Sequence, residues 1–154
     1  CSDYQRIHNV DVRIMRIFNT YGPNMRADDG RVISNFIVQA LKNQTLTIYG
    51  NGTQTRSFCY IDDLINGMIL LMKSNYRKPV NIGNPNEFTI YELAKLIKEL
   101  VNPNARLEFK ELPADDPTKR KPSIELAREL LSWEPQIELK EGLNKTIEWF
   151  KNNI

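Results

Sequence analysis

Apolar residues at Val10, Val12, Ile14, Met15, Ile17 and Phe18 predict a strand buried on both faces close to the start of the chain. Such a strand cannot stand alone, because it needs neighbours along its edges and helices over its faces. The chain supplies few of them ahead of it, a first hint of a fragment. Residues 1–9 read as the tail of a helix. Val32, Ile33, Phe36, Ile37, Ala40 and Leu41 have helical spacing, and short strands are predicted over 46–49 and 57–61. Gly50-Asn51-Gly52 is a glycine turn between them, leading into a short hairpin. Asp62 is expected to cap a helix whose apolar face is Leu64, Ile65, Met68, Ile69 and Met72. Residues 79–83 predict a further strand running into a turn. Thr89 and Glu92 then form a capping box, with Phe88 and Leu93 as its hydrophobic staple, and that helix runs until Pro103 stops it. A strand over 106–112, a short helix capped by Ser123 and ending at Leu131, and a helix over 139–150 complete the order. The reading is α/β, a parallel unit toward the N-terminal end followed by a smaller α+β lobe.

Composition narrows the function by exclusion. The 154 residues carry 21 Lys and Arg against 19 Asp and Glu, a net charge of +2. That is too small to suggest nucleic acid or an anionic membrane as partner, so any anion recognition rests on a local cluster. The longest apolar stretch, 68–72, is far short of the ~20 residues that cross a bilayer, so no membrane segment is expected. Of the two cysteines, Cys59 lies in the apolar run Phe58-Cys59-Tyr60-Ile61 and reads as a small buried hydrophobe. His8 is the only histidine, which leaves no Ser-His-Asp triad and no multi-histidine metal site. Gly50-x-Gly52 is no dinucleotide fingerprint, since Thr55 stands where the third glycine belongs and no helix follows. What remains is a set of basic and amide residues read at element ends, Asn19, Arg31, Arg56, Asn81 and Arg120. Guanidinium forks suit the paired oxygens of a diphosphate.

The segment 16–23, Arg-Ile-Phe-Asn-Thr-Tyr-Gly-Pro, resembles the strand-and-turn motif of the extended short-chain dehydrogenase/reductase family, the NAD-dependent epimerases and dehydratases. The likeness continues in order through Asp28-Asp29-Gly30-Arg31-Val32, the 46–58 segment ending Gln54-Thr55-Arg56-Ser57-Phe58, and Val80-Asn81-Ile82-Gly83. Trp133-Glu134-Pro135 and the Gly142-Leu143 helix close it. Within the family, Asp-Asp-Gly-Arg-Val and the 115–122 segment, Asp-Asp-Pro-Thr-Lys-Arg-Lys-Pro, resemble the UDP-glucuronate decarboxylase branch. A nucleotide-sugar 4,6-dehydratase, a 4-epimerase and a non-catalytic binding module on the same fold are the alternatives.

The resemblance implies the C-terminal portion of a Rossmann-type enzyme. Residues 1–30 would end the dinucleotide-binding domain, and 31–154 would form the nucleotide-sugar lobe, with some strands and helices returning to the Rossmann sheet. It implies NAD as cofactor, a UDP-sugar as partner, a homodimer for the full-length enzyme and a cytoplasmic setting. The implied reaction oxidises the sugar at C4, releases carbon dioxide and reduces the ketone again. Carried over residue by residue, Asn19 would contact the sugar or diphosphate, and Thr20 and Arg31 would face the cofactor. Val32 and Ile33 would line the nucleotide pocket at a helix start, where backbone donors stand unpaired. Thr47 and Tyr49 would flank the uracil, Arg56 would clamp the diphosphate, and Asn81 would support it. Arg120 would be the catalytic arginine near the carboxylate. The family's glycine-rich loop does not occur within 1–154, and its catalytic Tyr-x-x-x-Lys pair is expected to lie outside it. By alignment that pair would end a few residues before Cys1, so this piece by itself is expected to be inactive and to bind no NAD.

Overall fold

The computed structural model describes residues 2–111 and 119–154. Helix α1 (Ser2–His8) precedes β1 (Met15–Ile17) and β2 (Thr20–Tyr21), and α2 (Val32–Leu41) leads to β3 (Leu46–Tyr49). Next come β4 (Thr55–Ser57), β5 (Cys59–Tyr60), α3 (Ile61–Lys73), β6 (Val80–Ile82) and β7 (Glu87–Thr89). The chain closes with α4 (Ile90–Val101), β8 (Leu107–Lys110), β9 (Lys119–Arg120), α5 (Glu125–Leu131) and α6 (Leu139–Asn153). This is the α/β order expected.

Four of the pairings are parallel and long in reach, three of them in two-stranded sheets. β1 pairs with β6, β2 with β5, and β3 with β8. A fourth sheet has β4 at its centre, antiparallel to β7 and parallel to β9. Two apolar clusters hold these ribbons. The larger joins α2, α4 and α6 over β3 through Phe36, Ile37, Ile48, Leu93, Ile97, Leu143 and Phe150. The smaller packs α3 and α5 on β6 through Leu71, Val80, Ile82, Ala127 and Trp133. Gly67 of α3 makes that packing close: a Cβ there would stand 2.8 Å from Ile82 Cγ2 and 3.0 Å from Trp133 Cε2.

The start of α4 forms as its sequence dictates. Thr89 Oγ1 accepts from the Glu92 amide at 3.1 Å, and Glu92 Oε2 accepts from the Thr89 amide at 2.8 Å. The two amides in front of Glu92 are also satisfied, Ile90 by the Gln54 carbonyl and Tyr91 by the Gly52 carbonyl. Leu93 is buried in the larger cluster with Phe88 packed against that cluster, where a staple would put them.

Five expectations are corrected. The strand over 10–18 shrinks to Met15–Ile17, and Ile17 is 56% exposed. Among the described residues β1 has one partner, β6, and a two-stranded ribbon cannot bury both faces. The Gly50–Gly52 turn makes no hairpin, because β3 and β4 belong to different sheets. Both glycines adopt positive φ, 69° and 77°, and the Gly52 and Gln54 carbonyls then meet the first amides of α4, which pulls the chain away from β3. Asp62 does not cap α3: Tyr60 is the N-cap, β5 runs straight into the helix, and Asp62 and Asp63 lie in its first turn, where they complement the dipole. Ser123 is one residue early, since Ile124 is the N-cap of α5 and makes no side-chain cap bond. The strand expected over 106–112 is Leu107–Lys110, and Leu112 lies outside the described residues.

Thr89→Ala is expected to cost about 1 kcal/mol of stability, measured by urea denaturation. The Thr89 amide, and after it the Thr89 hydroxyl, hold the Glu92 carboxyl below the usual carboxylate range. A lowered folded-state pKa gives stability that is present above the unfolded value of about 4.3 and is lost as pH falls through the folded one. Glu92→Gln should therefore flatten the acid limb of the stability–pH curve.

Candidate functional site

The first turn of α2 opens onto a cavity of about 280 Å³. Arg31 is the N-cap and offers no side-chain cap bond. The amides of Val32, Ile33 and Ser34 have no acceptor among the described residues, and the first amide satisfied is Asn35, by the Arg31 carbonyl at 2.9 Å. An unpaired first turn with the helix dipole behind it favours an anion. This differs from α4, where every amide of the first turn is taken.

Eight residues singled out from the sequence line this one cavity: Asn19, Thr20, Arg31, Val32, Ile33, Thr47, Tyr49 and Arg56. They arrive from β2 and the residue before it, α2, β3 and β4. Asn19 is fixed through its carbonyl, which accepts from the Cys59 amide at 2.8 Å as β2 and β5 run together. Arg56 is 8% exposed, and its Nη1 donates to the Thr55 carbonyl at 2.8 Å. Arg31 Nε lies 2.7 Å from Asp29 Oδ2, and its Nη1 donates to the Thr20 carbonyl at 3.2 Å. That Asp29 oxygen is buried and poorly aligned for a hydrogen bond, so charge alone compensates it. The Thr20 hydroxyl donates to the Phe18 carbonyl at 2.8 Å.

Six more residues complete the wall: Tyr21, Met25, Phe36, Gln54, Phe58 and Ile90. In the sequence Phe36 falls in the apolar spacing of α2, Phe58 in the apolar run 58–61 and Tyr21 in the family-like segment 16–23. A signal existed for Gln54, which lies inside the family-like segment before Arg56. Tyr21 is nearly fully buried, its hydroxyl donates to the Leu139 carbonyl at 3.3 Å, and its ring meets Tyr60 edge-on at 5.6 Å. Burial first, then the neighbouring Cys59, Tyr60 and Asp63, pushes its phenol above the ordinary value.

Of the two remaining expected residues, one falls elsewhere and the other is described by its backbone alone. Asn81 sits within β6, and its Nδ2 donates to the Ser123 carbonyl at 3.0 Å, away from the cavity wall. Arg120 is in β9, paired in register with Arg56. Residues 119–120 are thus a strand and no loop, while 112–118, with Asp115, Asp116 and Pro117, lie outside the described residues. Nor are Arg56 and Asn81 at element ends; each is held in the middle of a strand, while Arg120 ends β9. His8 ends α1, exposed, with its ring 4.9 Å from Tyr4. Among the described residues no three His, Cys, Asp or Glu side chains are grouped to hold a metal ion. None of the described helices is long and apolar enough to cross a membrane.

Residues 1–83 match the NAD dependent epimerase/dehydratase family. The chain belongs to this family. It is 56% identical over 141 residues to UDP-glucuronic acid decarboxylase 3 of Arabidopsis thaliana, covering 92% of this chain and 41% of that protein. Over 154 residues it is 51% identical to UDP-glucuronic acid decarboxylase 1 of Xenopus tropicalis, covering all of this chain and 37% of that protein. The chain therefore spans about two fifths of the length of these relatives. Among solved structures, UDP-glucuronic acid 4-epimerase from Bacillus cereus in complex with UDP-glucuronic acid and NAD superposes with a TM-score of 0.90 at 29% identity. That match covers 99% of this chain and 49% of the epimerase.

Cys59 backs the site from β5, fully buried, and burial pushes its thiol up to about 12. Iodoacetamide at pH 8 should leave Cys59 unmodified in the folded protein and alkylate it in urea, as read by peptide mass mapping.

Proposed function

We propose that residues 1–154 are the nucleotide-sugar-binding part of an NAD-dependent UDP-glucuronate decarboxylase. The observation that carries this reading is convergence: eight residues, drawn from four stretches of sequence, line one cavity beside an open helix start. The diphosphate sits at the Val32 and Ile33 amides with Arg56 as its clamp, since a buried guanidinium and unpaired amides both favour an anion. Uracil lies against Thr47 and Tyr49 on β3. The sugar extends toward Asn19, and Arg120 meets its carboxylate, a further negative charge beyond the diphosphate that calls for a cation of its own. Asn81 acts at one remove, holding Ser123 three residues beyond Arg120.

NAD, when bound, supplies the hydride acceptor for the sugar C4. Thr20 and Arg31 lie together on the cavity rim, and with Nε and Nη1 engaged, Arg31 keeps Nη2 for a polar group, which fits a cofactor contact. The relatives named as decarboxylases support the reaction class at 56% and 51% identity. A 4-epimerase is the second reading, favoured by the fold match to the Bacillus cereus enzyme.

In the full-length protein, Arg56→Ala should weaken UDP by about 1.5–3 kcal/mol, the worth of a charge-assisted bond, as measured by calorimetry at low salt. Unchanged UDP affinity would remove Arg56 from the site. Arg120→Ala should cut carbon dioxide release from UDP-glucuronate sharply while leaving UDP affinity nearly intact. A near-normal rate would remove Arg120 from the reaction, and UDP-galacturonate as the wild-type product would favour the epimerase instead.

A further inference from the structure

We propose that Gln39 is a positioning residue for base recognition: it occupies the Thr47 amide, so that the open edge of β3 offers the base one acceptor and one donor, the Thr47 carbonyl and the Tyr49 amide. The inference rests on the nucleotide reading above and goes beyond it, naming the group that decides which backbone atoms the base meets.

Strand geometry fixes the starting point. In the parallel β3–β8 pair the Leu46 amide donates to the Arg106 carbonyl at 2.9 Å and the Gly50 amide to the Lys110 carbonyl at 2.8 Å. Alternate residues of a strand turn their backbone groups to opposite edges. Thr47 and Tyr49 therefore turn theirs away from β8, toward an edge with no strand partner among the described residues. Four polar groups stand on that edge, an N–H and a C=O from each residue. Two of them are taken by side chains. The Thr47 amide donates to Gln39 Oε1 at 3.1 Å, and the Tyr49 carbonyl accepts from Gln54 Nε2 at 2.7 Å. Gln39 Nε2 also reaches the Thr47 hydroxyl, at 3.4 Å.

The two groups left over, the Thr47 carbonyl and the Tyr49 amide, are the pair through which a parallel strand reads one residue of its neighbour. An acceptor beside a donor in the plane of a strand edge matches the imide of uracil, whose N3–H is flanked by two carbonyl oxygens. Both residues line the cavity that opens at the first turn of α2. Gln39 is on that same helix, two turns further along, so one element presents the anion site at its start and sets the base-reading edge from its flank.

Without Gln39 the Thr47 amide has no acceptor. It would then draw water onto the edge or turn the peptide toward the cavity, and the acceptor–donor pair would be lost. A packing role predicts something else, a loss of every ligand together.

The test compares UDP, N3-methylated UDP and inorganic diphosphate by calorimetry on the full-length protein. Wild type should bind UDP more tightly than either of the others. Gln39→Leu should weaken UDP about tenfold while diphosphate affinity stays the same. Gln39→Glu keeps an acceptor for the Thr47 amide and should restore most of the UDP affinity. Unchanged UDP binding in Gln39→Leu, equal loss of UDP and diphosphate, or failure of Gln39→Glu to rescue would overturn the inference. So would N3-methylated UDP binding wild type as well as UDP does, a result that needs no variant to fold. If wild type binds UDP no better than diphosphate, the nucleotide reading itself falls, whatever the variants do.

Discussion

Three backbone amides at the start of α2, those of Val32, Ile33 and Ser34, have no acceptor among the described residues, while the helix they begin is held firmly in place. Ile33, Phe36, Ile37 and Ala40 bury one face of it in the larger core, against α4 and α6. That burial fixes both the rotation of the helix and the direction in which its first turn points. An anion drawn there meets donors that are already oriented, so little ordering cost falls on binding. The rest of the site follows from the same placement. Arg31 leads into the turn, β3 lies along the flank of the helix, and Gln39 reaches from that flank to Thr47.

Sequence patterns were most legible where local chemistry alone decides the structure. The Thr89–Glu92 capping box and the apolar spacing of α2 needed no knowledge of distant contacts, and both formed as read. The eight cavity residues were legible through family resemblance, because spacing gave no reason to bring 19–20, 31–33, 47–49 and 56 together. What sequence could not show was pairing. The Gly50–Gly52 turn looks the same whether its strands pair or part, and here the carbonyls of Gly52 and Gln54 are claimed by α4, forty residues along the chain. The same limit hid β9 inside a charged segment, since its strand character comes from lying beside β4. The base-reading edge of β3 is likewise invisible until β8 is known to occupy the other side.

A net charge of +2 gives little long-range attraction, so the proposed anion site must rest on local groups. The ion pairs bear this out by where they lie. Arg6–Asp3, Arg26–Asp28 and Lys145–Glu141 are well exposed, and pairs of that kind contribute little because water and salt screen them. Arg56 differs in being almost wholly buried on the central strand of its sheet, and it lines the cavity. There the surroundings screen poorly, so a charge-assisted bond from Arg56 would count for more than one at the surface.

The cavity is also tied to the far end of the chain through a contact that only glycine permits. Gly142, in the first turn of α6, faces the Tyr21 hydroxyl and the Tyr60 ring, and a Cβ there would collide with that hydroxyl and stand 2.7 Å from Tyr60 Cδ2. Tyr21 has nowhere to retreat, since it is boxed edge-on by Phe58 and Tyr60 and donates to the Leu139 carbonyl. Interiors packed this closely respond to added volume by shifting whole elements. Because Tyr21 follows Thr20 on β2 and forms part of the cavity wall, any displacement of α6 reaches the ligand-facing surface by one rigid step. The C-terminal helix therefore does more than close the core: its glycine leaves the room that the Tyr21 hydroxyl occupies, and Tyr21 forms part of the cavity wall.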